Sequence, residues 1–131
     1  MTVPVLSKIL YVEDEPDIQA VAQLALEAVG GFTVKVCNSG QEALEQVAAF
    51  APDLILLDVM MPGMDGPSTL QALRQISACA DTPACFMTAM VQPREIAHYK
   101  SLGALDVIPK PFDPMALSAL VSAIWERHHG A

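Results

Sequence analysis

Short apolar runs alternate along the chain with longer segments in which apolar residues recur at helical spacing. Four of the runs are nearly continuous in apolar residues, and the other, 32–36, alternates between apolar and polar positions. Apolar runs of this length are typical of strands buried on both faces of a parallel sheet. The pattern therefore predicts five strands, at 9–12, 32–36, 54–57, 84–87 and 105–108.

Helix signals follow each predicted strand. Ile18, Val21, Ala22, Ala25 and Val29 predict a first helix with one buried stripe, which ends at a pair of glycines. A capping-box pattern at 39–42 opens the second helix, and Asp113 with Pro114 predicts the start of the last. The third and fourth are expected at 67–77 and 93–103. Five strand–helix pairs in alternation predict one α/β domain, a five-stranded parallel sheet between two helical layers.

Composition narrows the function classes. The 131 residues fit one domain, whose core is expected at about 8–127. A net charge of −8, with only seven scattered basic residues, argues against direct nucleic-acid binding and against binding to an anionic membrane. Three cysteines form no C-x-x-C pair and are expected to be buried thiols of a reducing compartment. Without a signal-peptide pattern or a membrane-spanning run, the expected location is cytoplasmic.

Chemically distinctive residues follow four of the five predicted strands. They are Glu13 and Asp14 after the first, Asp58 after the third, Thr88 after the fourth and Lys110 after the fifth. The carboxyl ends of parallel strands share one edge of the sheet, where such folds bind ligands. Three converging carboxylates repel one another unless a hard cation lies between them, and Mg²⁺ prefers such oxygen ligands. These residues predict a site for a phosphoryl group beside a metal.

Any one of these residues could have an ordinary structural role. Acidic residues after strands often cap helices or face solvent, and a buried lysine often pairs with a single carboxylate. Five such residues in this order at strand ends favour the phosphoryl site instead.

Four segments resemble the motifs of the response-regulator receiver domains of two-component signalling, a family that includes chemotaxis regulators. They are VEDE at 12–15, LLDVMMPGMDG at 56–66, MTA at 87–89 and IPKPF at 108–112. The likeness runs from about Lys8 to Trp125. It implies a doubly wound, flavodoxin-like (βα)5 sandwich with strand order 2-1-3-4-5.

The resemblance implies that Asp58 is the phosphoacceptor of a phosphorelay. A sensor histidine kinase, a histidine phosphotransfer protein or a small acyl phosphate would supply the phosphoryl group. Glu13, Asp14, Asp58 and the backbone carbonyl of Met60 would hold Mg²⁺, with Mn²⁺ as an alternative ion. On this view the protein is not a true enzyme, because it catalyses only its own phosphorylation and dephosphorylation.

By the same resemblance, Thr88 and the amide of Ala89 would bind phosphoryl oxygens, and Lys110 would pair with the phosphate. The Lys110–Pro111 bond is expected to be cis, although Lys-Pro also occurs as an ordinary trans turn. The family's aromatic switch residue is replaced here by Val107, so coupling from Thr88 to the face formed by helix 4, strand 5 and helix 5 must differ.

Met60 and Met90 fall at positions that line the approach to the acyl phosphate. Neither side chain can orient an attacking water molecule, which predicts slow self-hydrolysis of the phosphorylated protein. The alternative is that both methionines only fill space.

The last helix lacks charge from Pro114 to Trp125. One hypothesis is that its outer face binds a second copy or a downstream partner. The alternative is that the tryptophan lies along the edge of the core with small residues outside it. The residues of that face are Met115, Ser118, Ala119, Ser122 and Trp125.

Rival functions fit the sequence less well. A haloacid-dehalogenase-like phosphatase needs a second carboxylate where Met60 stands, and an FMN-binding flavodoxin needs a Ser/Thr/Gly-rich loop where EDEP stands at 13–16. A pseudo-receiver that serves only as an interaction module is disfavoured because all five chemical positions are present. No output domain is expected, which leaves open a stand-alone regulator or an excised receiver.

Overall fold

The computed structural model describes residues 4–130, and strands and helices alternate in it as predicted. The strands are β1 (Lys8–Val12), β2 (Thr33–Cys37), β3 (Leu54–Asp58), β4 (Ala84–Thr88) and β5 (Asp106–Pro109). The α-helices are α1 (Pro16–Leu24), α2 (Gly40–Phe50), α3 (Gly66–Leu73), α4 (Pro93–Ser101) and α5 (Leu117–Gly130). All strand pairs are parallel and the order is β2-β1-β3-β4-β5, which confirms the predicted fold class.

Each face of the sheet carries its own hydrophobic core. Successive residues of a strand point to opposite faces, so β3 supplies Ile55 and Leu57 to one core and Leu54 and Leu56 to the other. Helices α2, α3 and α4 cover the first face, and α1 and α5 cover the second. The three cysteines are buried and free, as the sequence predicts. Among residues 4–130, no helix is long and apolar enough to cross a bilayer.

The predicted buried stripe of α1 is wrong at two positions. Val21 and Val29 are 43% and 49% exposed, whereas Ala22, Ala25 and Leu26 are buried. Val21 lies at the edge of the stripe. The segment Ala25–Val29 is a π-helical turn, which is wider than an α-helical turn and rotates Val29 away from the sheet.

The larger differences from the predicted helix boundaries are in α3 and α5. Helix α3 ends at Leu73, and a separate 3-10 turn follows at Ser77–Cys79. Helix α5 begins at Leu117 and not at Pro114, because the residues between form a turn. In that turn the carboxylate of Asp113 accepts a hydrogen bond from the Met115 amide at 2.9 Å.

Ser118 and Trp125 were predicted to lie on the outer face of the last helix, and this prediction is wrong. Both side chains are buried. The Ser118 hydroxyl donates to the Ala25 carbonyl at 2.8 Å, and the Trp125 indole donates to the Pro4 carbonyl at 2.7 Å. The alternative is correct in placing the tryptophan along the edge of the core, but Ser118 is not among the small residues outside it, because its hydroxyl finds a backbone acceptor inside the fold.

Candidate functional site

The end of β1 places two carboxylates beside the sheet. The Glu13 amide donates to the Cys37 carbonyl of β2 at 3.0 Å, which extends the strand pairing by one residue. The Glu13 side chain is completely buried. Its Oε2 accepts a hydrogen bond from the Glu15 amide at 3.3 Å, and Asp14 beside it is partly buried.

Asp58 is the last residue of β3 and is 4% exposed. The loop after it folds back over the strand end, where the Gly66 amide donates to the Val59 carbonyl at 2.9 Å. A Cβ on Gly66 would lie 2.5 Å from the Asp58 carbonyl oxygen. Only glycine therefore permits this close return of the backbone beside Asp58.

Lys110 connects the two acidic strand ends. Its Nζ donates to Glu13 Oε1 at 2.9 Å and to Asp58 Oδ1 at 3.0 Å. Burial of the ammonium lowers the pKa of Lys110, but hydrogen bonds and attraction from both carboxylates outweigh it and raise the pKa above its ordinary value. The lysine therefore stays positively charged, and it is followed by a cis peptide bond to Pro111.

The carboxylates fit a divalent cation. Ligand oxygens of Glu13, Asp14 and Asp58 all lie within 4.8 Å of one another. Asp14 Oδ1 is buried and has no hydrogen-bond partner among residues 4–130. A buried carboxylate oxygen without a donor is costly, and a cation would satisfy it. Met60, whose carbonyl was predicted as a further ligand, is in the loop directly after Asp58.

Thr88 lies at the end of β4, next to Asp58 on the neighbouring strand. Asp58 is paired with Met87 in the sheet, and Thr88 is 3% exposed. Its hydroxyl oxygen accepts a hydrogen bond from the Met90 amide at 3.1 Å. Ala89, in the same loop, is exposed. The hydroxyl is thus tied to the loop that leads into α4.

The residues predicted to tune or transmit the signal are divided between surface and core. Met60 is 75% exposed and Met90 is 53% exposed. Val107 is buried and is paired with Phe86 across β4 and β5. Phe86 packs edge-on against Tyr99 of α4, with ring centroids 5.3 Å apart. The aromatic contact on this face therefore comes from a helix, and Val107 packs beside it.

Two residues that the sequence patterns did not single out contact the acidic strand end. The Tyr11 hydroxyl lies 3.4 Å from Glu13 Oε1, and burial together with the Glu13 charge raises the pKa of Tyr11 well above its ordinary value. The side-chain amide of Gln19 donates to the Glu13 carbonyl. Tyr11 could have been found, because residues two apart in a strand share a face. The Gln19 contact depends on a loop and has no such periodic signal.

The response regulator receiver domain family matches residues 9–122. The chain belongs to that family. It is the receiver domain of a two-component response regulator, as the motifs predicted. The observed strand order is the one that the resemblance to this family implied.

Similar proteins share sequence and structure over most of the chain. The transcriptional regulatory protein CpxR of Escherichia coli K12 is 39% identical over 124 residues, covering 95% of this chain and 51% of that protein. The chemotaxis protein CheY4 of Vibrio cholerae has a TM-score of 0.83 at 29% identity, covering 92% of this chain and 99% of the other. A putative response regulator of Chloroflexus aurantiacus has a TM-score of 0.82 at 30% identity, covering 94% of this chain and all of the other. The chain spans about half the length of the curated relatives that it matches.

Proposed function

We propose that this receiver domain is a Mg²⁺-dependent phosphoacceptor switch in which Asp58 receives a phosphoryl group from a histidine kinase or histidine phosphotransfer protein. One observation carries the proposal. Asp58 is buried against the Lys110 ammonium at 3.0 Å, inside an acidic cluster in which one Asp14 oxygen has no hydrogen-bond partner in the described part of the chain. This arrangement offers a nucleophile, a cation and open metal ligands within one small volume.

The chemistry is an in-line displacement at phosphorus. A carboxylate oxygen of Asp58 forms a bond to the phosphorus atom, and the bond from phosphorus to the donor's imidazole nitrogen or carboxylate oxygen breaks. When bound, Mg²⁺ would offset negative charge on the transferring group. Lys110 keeps a positive charge beside the accepting carboxylate. The Thr88 hydroxyl accepts a hydrogen bond from the Met90 amide and can still donate its own proton to a phosphoryl oxygen. A rotation of Thr88 towards that oxygen would pull on the Met90 amide.

An apolar groove beside the acceptor is suited to the donor protein. It is lined by Ile18 and Val21 of α1 and by Pro111 and Phe112 after β5, and it reaches Lys110 and Ala89. A donor helix bearing the phosphohistidine could bury apolar residues there while presenting the phosphoryl group to Asp58. Val21→Asp should then slow transfer from a donor protein and leave phosphorylation by acetyl phosphate unchanged. Leu24→Asp is the control, because Leu24 is 67% exposed on the same helix outside the groove.

The output surface is proposed to be the face of α4, β5 and α5. Asp106 of β5 forms ion pairs there with Lys100 at 3.8 Å and with Arg127 at 3.1 Å. Rotation of Thr88 would move the loop into α4, and the Phe86–Tyr99 contact would carry that movement to the helix. A downstream protein or a second copy would bind the altered face. A monomeric sedimentation mass both with and without phosphorylation would contradict the homodimer and leave the downstream protein.

Intact-mass spectrometry after incubation with acetyl phosphate tests the proposed function. A single phosphoryl adduct that requires both Mg²⁺ and Asp58 is expected for the wild type. Asp58→Asn should abolish it, and Asp81→Asn, at an exposed position, should not. Absence of an adduct in the wild type would contradict the proposal and favour a pseudo-receiver that serves as an interaction module.

A further inference from the structure

Gln19 connects three parts of the domain at the acidic strand end. It lies in the first turn of α1, where its backbone amide donates to the Glu15 carbonyl at 3.0 Å. Its side-chain amide donates to the Glu13 carbonyl and to Asn38 Oδ1, the latter at 2.7 Å. One NH₂ group thus joins α1, the end of β1 and the loop after β2.

The partner loop is itself anchored. Asn38 donates from Nδ2 to the Glu42 carboxylate of α2 at 3.3 Å. Glu42 in turn is held at the helix start, where its amide donates to the Ser39 hydroxyl at 3.1 Å. The Asn38 side chain that accepts the hydrogen bond from Gln19 is therefore itself held in place by α2.

The carbonyl bound by Gln19 belongs to the peptide unit that joins Glu13 to Asp14. The Glu13 amide, on the other side of that residue, is held by the Cys37 carbonyl. Both polar groups of the Glu13 backbone are consequently fixed, and the planar peptide that follows fixes where the Asp14 N and Cα atoms lie, from which the Asp14 side chain extends.

Asp14 has no comparable support of its own, because its buried Oδ1 lacks a hydrogen-bond partner among residues 4–130. Its direction therefore depends on the backbone that Gln19 holds. We infer that Gln19 is a positioning residue for the metal ligand Asp14 and sets the affinity of the site for Mg²⁺. This inference rests on the proposed function, since it requires the acidic cluster to bind the ion.

Partners that orient metal ligands contribute substantially to affinity, and their loss typically weakens metal binding about 10- to 100-fold. Gln19 binds the backbone carbonyl that precedes Asp14 and does not contact the Asp14 carboxylate. We therefore expect a loss of Mg²⁺ affinity at the lower end of this range, about tenfold. A glutamine that only braced the loop would change the stability of the metal-free protein but not its affinity for Mg²⁺.

Calorimetric titration of the full chain with MgCl₂ tests this inference on Gln19→Leu. Gln23→Leu is the matched control, because Gln23 lies one turn further along α1 and has no side-chain hydrogen bond within residues 4–130. The dissociation constant should rise about tenfold in Gln19→Leu and less than about twofold in Gln23→Leu. Urea unfolding in EDTA, run in parallel, reports any loss of stability separately.

Asn38→Ala gives a second variant at an exposed position, which keeps the test valid if Gln19→Leu fails to fold. It removes the outer anchor of Gln19 and should weaken Mg²⁺ binding about two- to threefold, in the same direction. Combined with Gln19→Leu it should add nothing, since both changes break one chain of contacts. If the wild type binds Mg²⁺ and both single variants keep its dissociation constant, the role of Gln19 is overturned, but the proposed function is not. Failure of the wild type to bind Mg²⁺ would overturn the proposed function with it.

Discussion

The Lys110 ammonium donates a hydrogen bond to Asp58 Oδ1 at 3.0 Å, although the two residues are 52 positions apart in the chain. The cation that would face an incoming phosphoryl group thus already contacts the carboxylate that would accept it. The same ammonium also contacts Glu13 at 2.9 Å, so one positive charge serves two of the three clustered acids.

Lys110→Met should destabilise the metal-free protein. The variant keeps the length of the side chain but leaves Glu13 and Asp58 buried without a cation, at a cost of about 1.5–3 kcal/mol. Urea unfolding in EDTA should show this loss, and Mg²⁺ should reduce it, because the ion takes over the neutralisation. Lys100→Met is the control at a half-exposed ion pair and should change stability by less than about 0.5 kcal/mol. An equal loss in both variants would contradict a special role for Lys110.

Gly66→Ala should distort the strand end that bears Asp58. Its Cβ would lie 2.5 Å from the Asp58 carbonyl oxygen and 2.9 Å from the Val59 Cα. Such overpacking against backbone costs about 1–3 kcal/mol, which thermal unfolding would detect. Ser68→Ala, two residues further along α3 and exposed, should be nearly neutral. If Gly66→Ala left the thermal stability unchanged, the loop after Asp58 would be able to move outward without cost.

Exchanging Met90 for glutamine should shorten the lifetime of the phosphorylated protein. Met90 is 53% exposed in the loop after Thr88, where a polar amide could orient an attacking water molecule and methionine cannot. The decay of the phosphoryl adduct, followed by intact mass, should accelerate. Leu102→Gln, at the far end of α4, should leave the decay rate unchanged. An unchanged rate in Met90→Gln would favour a purely space-filling methionine.

Two buried thiols should make the protein less stable at alkaline pH. Burial raises the pKa of Cys37 to about 11 and that of Cys85 to about 12, from an ordinary value of 9.0. The unfolded chain therefore loses these protons first, and the free energy of unfolding should fall as the pH rises from about 9 towards 12. At pH 8 both thiols should react with iodoacetamide only in urea. Rapid alkylation of Cys37 or Cys85 in the native protein would contradict this.

Sequence predicted the strand ends better than it predicted the helices. Glu13, Asp58 and Lys110 come together because parallel strands end at one edge of the sheet, and the apolar runs reveal where each strand ends. The start of α5 was misplaced because Asp113 and Pro114 support a turn as well as a helix. Trp125 and Gln19 depend on contacts with Pro4 and Asn38, which no local periodicity encodes.

The site of phosphorylation can be located directly on the chain. Protein treated with acetyl phosphate and Mg²⁺ is reduced with borohydride, which converts an aspartyl phosphate to homoserine, and is then digested and sequenced by tandem mass spectrometry. Homoserine is expected at position 58, with Glu13 and Asp14 unmodified. Homoserine at any other aspartate, or none in protein that carries the phosphoryl mass, would contradict the assignment of Asp58 as the phosphoacceptor.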